Sequence, residues 1–473
     1  MKVIENPTAN IATVFKSQRK FAQKLRVEPV GARKDRLRML RTWIHENRLR
    51  ICDAAFKDFR KAQQEVDTIE IFHVLNEIKL ALNNVDQWAA PRKIDAPITM
   101  LGTRSYLQAE PRGVCLIISP WNYPFSLAVG PLVSALAAGN AAIVKPSELT
   151  PTMSALLKEM ADTLFRPEEV FVAEGDAAVA GELLKLPFDH MFFTGSTAVG
   201  KIVMKAAAEH LSSVTLELGG KSPVFVTRDA DLSDAAERIT VAKFVNNGQT
   251  CIAPDYVLVD AQIKDKLIQK IKQITAAKFL GKGKPEESES YCRIVNTKHF
   301  DRISNLIEDA VARGAKVEWD GTRRRDERFM HPVILSEVPA VSGIMEEEIF
   351  GPVLPVIAYS NVEDAIAMVN AKAKPLALYV FGSGADSKRI VNNTSAGGVC
   401  INDCGIHFLH HNLPFGGINA SGLGQSHGHY GFLSFSHEKP VLRQKSGITT
   451  LRPFYPPYTK ASQKLVDWFL KLF

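Results

Sequence analysis

The chain has 473 residues, 46% of them apolar and 23% charged, with a formal net charge of +7. That length holds two or three domains, each burying its own core. The basic residues are spread along the sequence, and the densest run, Arg323-Arg324-Arg325, is followed at once by Asp326 and Glu327 with no interleaved aromatics. These charges read as a solvated surface and exclude a nucleic-acid partner.

Taken in chain order, residues from about Ala9 to Ala90 carry apolar positions at helical spacing, as in Leu37, Leu40, Trp43 and Ile44, and predict a helical opening segment. After Pro91 the pattern changes to two short extended runs, Ile98–Leu101 and Ser105–Ala109, separated by Gly102. Such a two-stranded arm is marginal alone and must pair elsewhere. From Gly113 strand and helix alternate: Val114–Ile118 strand, Leu127–Ala138 helix, Ala141–Val144 strand, Thr152–Leu164 helix, then His190–Thr194 strand and Lys201–His210 helix. A second alternating set runs from about Val224 to Val399, with Tyr256–Val259, the helix Ile263–Ala277 and Leu376–Phe381. Continuous apolar strands between helices predict parallel sheets covered on both faces. Pro453, Pro456 and Pro457 precede a last segment, Lys460–Phe473, that reads as an amphipathic helix with Leu465, Trp468, Phe469 and Leu472 on one face. Two readings of it stand: docking on protein, or lying in a membrane interface. No stretch approaches the ~20 apolar residues of a membrane-spanning helix.

The six cysteines, Cys52, Cys115, Cys251, Cys292, Cys400 and Cys404, form no CxxC pair and no Cys/His spacing suited to zinc. His407, His410 and His411 lack accompanying carboxylates, and no metal site is expected. The start of the chain, with Lys2 and Glu5, has no apolar signal core, so a reducing cytoplasm, where Cys251 stays a free thiol, is the expected setting.

Cys251 closes the polar run Asn246–Thr250, and Glu217 lies in the Gly-bearing segment Thr215–Ser222. A thiolate is a strong carbon nucleophile, and a nearby carboxylate can take a proton from a water that later cleaves a thioester. This pairing fits oxidation of a carbonyl to an acid. Gly195–Gly200 stands between a predicted strand and a helix start, where unpaired N–H groups bind phosphate, although the same glycines also suit a plain turn. Lys145 and Glu148 follow a strand end, where ribose hydroxyls collect in open α/β sheets; as isolated residues they read equally as loop charges. Asn122 also follows a strand end and offers an amide N–H to an oxyanion, or serves only the turn. Trp121 and Tyr123 flank it and suit either an apolar tunnel or the core.

Together, PWNYP (120–124), VKPSE (144–148), FTGSTAVG (193–200), LELGGKSP (216–223), GQTCIAPDY (248–256), EEIFGP (347–352) and LPFGGINASGLG (413–424) resemble the aldehyde dehydrogenase superfamily from about residue 100 to 445. The SELTP stretch, KFVNNGQTCIAPDYVL, and the regions around His407 and Tyr430–His437 are most similar to its class 3 branch of fatty, aromatic and coniferyl aldehyde dehydrogenases. The resemblance implies an α/β fold of the aldehyde dehydrogenase type, two doubly wound α/β domains with a small β oligomerisation element. The implied boundaries are 1–90 and 113–223 for NAD(P) binding, 224–399 for catalysis, 91–112 and 400–450 for bridging to a partner subunit, and 451–473 for the tail. It further implies Cys251 as nucleophile, Glu217 as the base toward water, and Asn122 with the Cys251 N–H as oxyanion donors. Trp121, Lys145, Glu148, Gly195, Ser196, Gly200, Leu218, Glu348 and Phe350 are implied in binding NAD or NADP, and Tyr123 in the substrate tunnel. Glu148 at a 2′-hydroxyl favours NAD, which Lys145 tempers. CoA-acylating relatives typically lack the base, so Glu217 favours a free acid as product. The implied substrate is a medium or long aliphatic, or aromatic, aldehyde, and the implied assembly a homodimer. Ile418-Asn419 departs from the small residues many relatives carry there, away from the reacting groups.

Overall fold

The computed structural model describes residues 7–100, 102–447 and 449–471. The opening segment folds as helices Pro7–Val27, Val30–Glu46, Arg48–Phe59 and Phe72–Ala89, with a π-helical turn at Val66–Ile71.

A six-stranded sheet follows, in spatial order Gly422–Leu423, Ser213–Glu217, His190–Thr194, Val114–Ile118, Ala141–Lys145 and Val170–Val172. Its strands are parallel except for the two-residue Gly422–Leu423 edge. Chain order therefore reverses between Val114–Ile118 and His190–Thr194, the switch point at which ligands of open α/β sheets bind. The helix Ser126–Ala138 is apolar almost all round because it is covered on nearly every side. It packs against Phe72–Ala89, against the sheet and against the short helix Gly428–Ser434. The second sheet has seven strands, ordered Lys316–Trp319, Val333–Ser336, Val353–Tyr359, Tyr256–Asp260, Pro223–Val226, Ala377–Phe381 and Gly398–Ile401. Only Lys316–Trp319 runs antiparallel there. The expected α/β class of two doubly wound sheets is the class observed.

Several expectations shift locally. Ile98–Met100 is a 3-10 turn and not an extended run, since the Met100 N–H donates to the Pro97 carbonyl (2.8 Å) and the Thr103 hydroxyl closes on the Met100 carbonyl (2.8 Å); Leu101 lies outside the described residues. The arm is three-stranded: Thr103–Pro111 pairs with Arg92–Ile94 on one side and with Ser436–Gln444 of the same chain on the other, in a continuous nine-residue register. The helix expected from Lys201 begins at Thr197, because the Ser196 side chain caps it by accepting from the Val199 N–H. Thr215–Glu217, the start of the Gly-bearing segment, ends the strand Ser213–Glu217. The tail helix spans Lys460–Leu470 behind a Thr459 cap, with Trp468 60% exposed; Leu472 and Phe473 lie outside the described residues, as do Lys2 and Glu5. Among the described residues no helix is long and apolar enough to cross a membrane.

Candidate active site

The polar run before Cys251 is a buried scaffold. After the helix Leu232–Phe244, residues Asn246, Asn247 and Gly248 all take positive φ (52°, 57° and 72°). Asparagine tolerates that conformation better than most residues. A Cβ at Gly248 would collide with the Gly351 carbonyl. Gln249 pins the turn: its amide donates to the Asn246 and Arg293 carbonyls, both at 3.0 Å, and its Oε1 accepts from the Val295 N–H at 2.9 Å. The Thr250 hydroxyl meets the Tyr123 hydroxyl at 2.7 Å.

Asn122, 3% exposed, follows the strand Val114–Ile118 and donates through Nδ2 to the Gln249 carbonyl at 2.9 Å. The amide carries a second N–H. The Asn122 carbonyl accepts from Asn246 Nδ2 (2.9 Å) and from Lys61 Nζ (3.0 Å). Lys61 in turn pairs with Glu70 at 2.9 Å, both side chains fully buried, and Glu70 accepts the Phe125 N–H at 2.9 Å. Thus the opening helical segment, through its π-helical turn, holds the turn that carries Asn122. This support was not legible in the sequence, because Lys61 and Glu70 look like ordinary surface charges there.

Glu217 ends its strand with one carboxylate oxygen accepting from the Ser426 hydroxyl at 2.9 Å and the other, buried, without a partner. Burial raises its pKa to about 8, against the opposing Ser426 hydrogen bond. Cys251 is pushed up to about 12, first by burial and then by Glu348 and Glu217. The thiol therefore rests protonated, and the Glu217 carboxyl ionises only as the pH approaches about 8.

Three cavities converge on Cys251. One, of about 280 Å³, is lined by Trp121, Asn122, Gly195, Ser196, Glu217, Leu218, Glu348 and Phe350. It lies at the switch point, beside the N-terminus of the helix Thr197–Ala208. Phe350, itself at φ 47°, meets Trp121 edge-on at 5.3 Å. Burial, with like-charged Asp255, raises the Glu348 pKa to about 8. The residues present fit a dinucleotide: a capped helix N-terminus and glycine turn for phosphate, an aromatic pair for a flat ring and a carboxyl for a hydroxyl. Lys145 and Glu148 stand outside this wall, 2.8 Å from each other at the end of the neighbouring strand, and Gly200 packs under Leu218. Sequence reasoning missed His299 and Arg302, which line the same cavity one helical turn apart; Arg302 donates to the Ile349 carbonyl at 2.6 Å. Their signal is the Asn296 cap opening the helix Thr297–Ala312.

The second cavity, about 1410 Å³ of space open toward solvent, is apolar in its depth and lined by Tyr123, Leu127, Ala242, Val245, Ile252 and Phe408. Tyr123 and Trp121 thus face opposite sides of Asn122. His407 packs between Tyr379 and Phe415, with both ring centroids at 6.0 Å. A thiol where a flat-ring site and an apolar tunnel meet, with an amide donor and a carboxylate at hand, can form and then cleave a covalent acyl adduct.

The chain matches the profile described as the Aldehyde dehydrogenase family over residues 1–441. It is 43% identical over 447 residues to "Aldehyde dehydrogenase family 3 member A2" of Rattus norvegicus, covering 94% of this chain and 91% of that one. It is 40% identical to the "4,4'-diaponeurosporen-aldehyde dehydrogenase" of Staphylococcus aureus, covering 97% and 98%. The solved structure "Substrate bound state of Staphylococcus Aureus AldH" superposes with a TM-score of 0.93 at 39% identity, covering 97% of this chain and 99% of that chain.

Proposed function

Since the chain belongs to the aldehyde dehydrogenase family, in its class 3 branch, and is an NAD(P)-dependent aldehyde dehydrogenase, we propose that it oxidises medium or long aliphatic, or aromatic, aldehydes to free acids through a covalent bond to Cys251. The observation that carries this reading is the convergence of two cavities on that single thiol, one walled by Gly195, Ser196, Glu348 and Phe350 and one lined mainly by apolar side chains. An aldehyde enters along the apolar side, where burial of its chain contributes about 25 cal/mol per Å². Cys251 loses its proton to solvent as its sulfur adds to the carbonyl carbon. The developing oxyanion is met by the second Asn122 N–H and the Cys251 backbone N–H, worth roughly 3 kcal/mol per preorganised donor. Trp121, Glu348, Phe350, Gly195 and Ser196 would hold NAD or NADP, which would supply the hydride acceptor that turns the adduct into a thioester. Lys145 and Glu148 remain the proposed contacts of the adenine ribose. Glu217 then takes a proton from water, and the hydroxide cleaves the thioester, releasing the acid and the Cys251 thiolate.

The assay is reduced-nicotinamide absorbance with hexanal, decanal, benzaldehyde and coniferaldehyde, using each cofactor in turn. Product is expected with at least one apolar aldehyde; silence across the panel would overturn the reading. The chain is further proposed to act as a cytoplasmic homodimer built through its three-stranded sheet, which sedimentation velocity tests. One observation favours a second reading for the tail: the helix Lys460–Leu470 leaves Trp468 and Leu470 largely exposed beside Lys464 and Lys471, which supports attachment to a membrane surface. Deleting residues after Thr459 should abolish sedimentation with anionic liposomes; unchanged sedimentation refutes it.

A further inference from the structure

A third, small chamber of about 50 Å³ also meets Cys251 and shares Leu127 with the other two cavities. Its wall includes Cys251, Glu217, Ser426, His427, His73 and Glu77. Glu77, on the helix Phe72–Ala89, is 5% exposed, and it accepts the Gly428 N–H at 2.8 Å. His73 lies one turn before it on the same helix, and the His73 and His427 rings are 4.9 Å apart. The Glu217 oxygen that lacks a partner is buried in this same wall. Ser126 and Ser134 of the neighbouring helix also line it. The proposed chemistry uses Glu217 and Cys251 but leaves Glu77 and the chamber without a task.

We propose that the chamber holds a short chain of water through which Glu77 receives the proton that Glu217 removes from the hydrolytic water, so that Glu217 returns to its ionised form after each turnover. The proposal rests on the assignment of Glu217 as the base. In the step, the Glu217 carboxyl loses its proton to the nearest water, that water passes a proton on, and the Glu77 carboxylate is protonated; Glu77 then releases the proton to solvent. No bond other than O–H is made or broken, and nothing is oxidised. A chamber with several converging polar groups has the partners that ordered water requires. Burial raises Glu77 to about 7, against the Gly428 hydrogen bond, and Glu217 to about 8, so a proton passes between them in either direction without a large barrier of affinity. The other titratable groups on the wall are Cys251, raised, and His73 and His427, both lowered by burial and neutral, which leaves the two carboxyls as the carriers of charge.

The test is Glu77→Gln in the full-length enzyme with a saturating aldehyde, alongside Glu217→Gln. Glutamine keeps an oxygen for the Gly428 N–H, so the fold around residue 428 is retained. Rapid mixing should show the hydride burst preserved in Glu77→Gln, with deacylation slower by roughly ten-fold, less than the loss of a base itself, and recovering on addition of formate. Deacylation at the parental rate with the parental pH profile would overturn the relay, and so would a slowed step that formate leaves unchanged. A proton inventory on the unsubstituted enzyme needs no variant: a curved dependence of deacylation on deuterium content supports several protons in flight, and a linear one overturns the proposal. If Glu217→Gln slows both phases equally, the base assignment itself fails; if it slows deacylation alone while Glu77→Gln behaves as the parent does, only the relay fails.

Discussion

Glu217→Gln should make the enzyme slower and, at alkaline pH, relatively more stable. The Glu217 carboxyl is about 8 in the fold against 4.5 when exposed, with burial as the cause. Its folded value is raised, so the unfolded chain ionises first as pH climbs. Folding stability is therefore lost progressively from about pH 4.5 to 8 and stays lost above. At about 1.36 kcal/mol per pH unit, the cost of keeping this carboxylate in the fold is about 3 kcal/mol at pH 7 and approaches about 5 kcal/mol above pH 8. Glutamine does not titrate, and whatever constant cost its buried amide carries cancels between pH values. For a chain of this size the unfolding entropy is on the order of 1 kcal/mol per kelvin. The melting temperature of the variant minus that of the parent should thus rise by about 4 °C between pH 5 and pH 9. Differential scanning calorimetry across that range measures it. A difference that stays flat with pH would refute the assignment of a buried, uncompensated carboxyl at Glu217. In the same variant, deacylation should fall by about 10²–10⁴, and in the parent deacylation should rise with pH up to about 8 as the base ionises.

Cys251→Ser should abolish turnover, and intact-mass spectrometry with a slow substrate should place the acyl adduct on Cys251 in the parent and nowhere in the variant. Asn122→Ala should lower kcat by about 10²–10³ with a smaller change in KM, the signature of a donor used in the transition state. Lys61→Met leaves Glu70 buried without its partner and should cost about 3–5 kcal/mol, read in urea unfolding. Ala242→Phe fills the apolar tunnel and should lower kcat/KM for decanal more than for a short aldehyde; an equal loss for both would place the chain elsewhere.

The sequence by itself determined the strands and helices whose side chains are covered on all sides. Val114–Ile118 and His190–Thr194 were readable to the residue, because a strand buried on both faces must be an unbroken apolar run between polar turns. It also determined Cys251, Glu217 and Asn122 as candidates, since each stands in a motif whose order along the chain carries the family resemblance. Only the tertiary structure decided what supports them. Lys61 and Glu70 are charged residues in a helical segment rich in exposed charges, and nothing in periodicity separates a buried pair from a solvated one. Their meeting under Asn122 depends on helices and a sheet that are distant in sequence. The same holds for Ser426 against Glu217, 209 positions apart, and for Ser436–Gln444 completing the arm. Local pattern reports how a segment divides its faces between water and core, whereas the partner of a polar group is set by packing across the chain, and the chemistry of this site lies in those long-range partners.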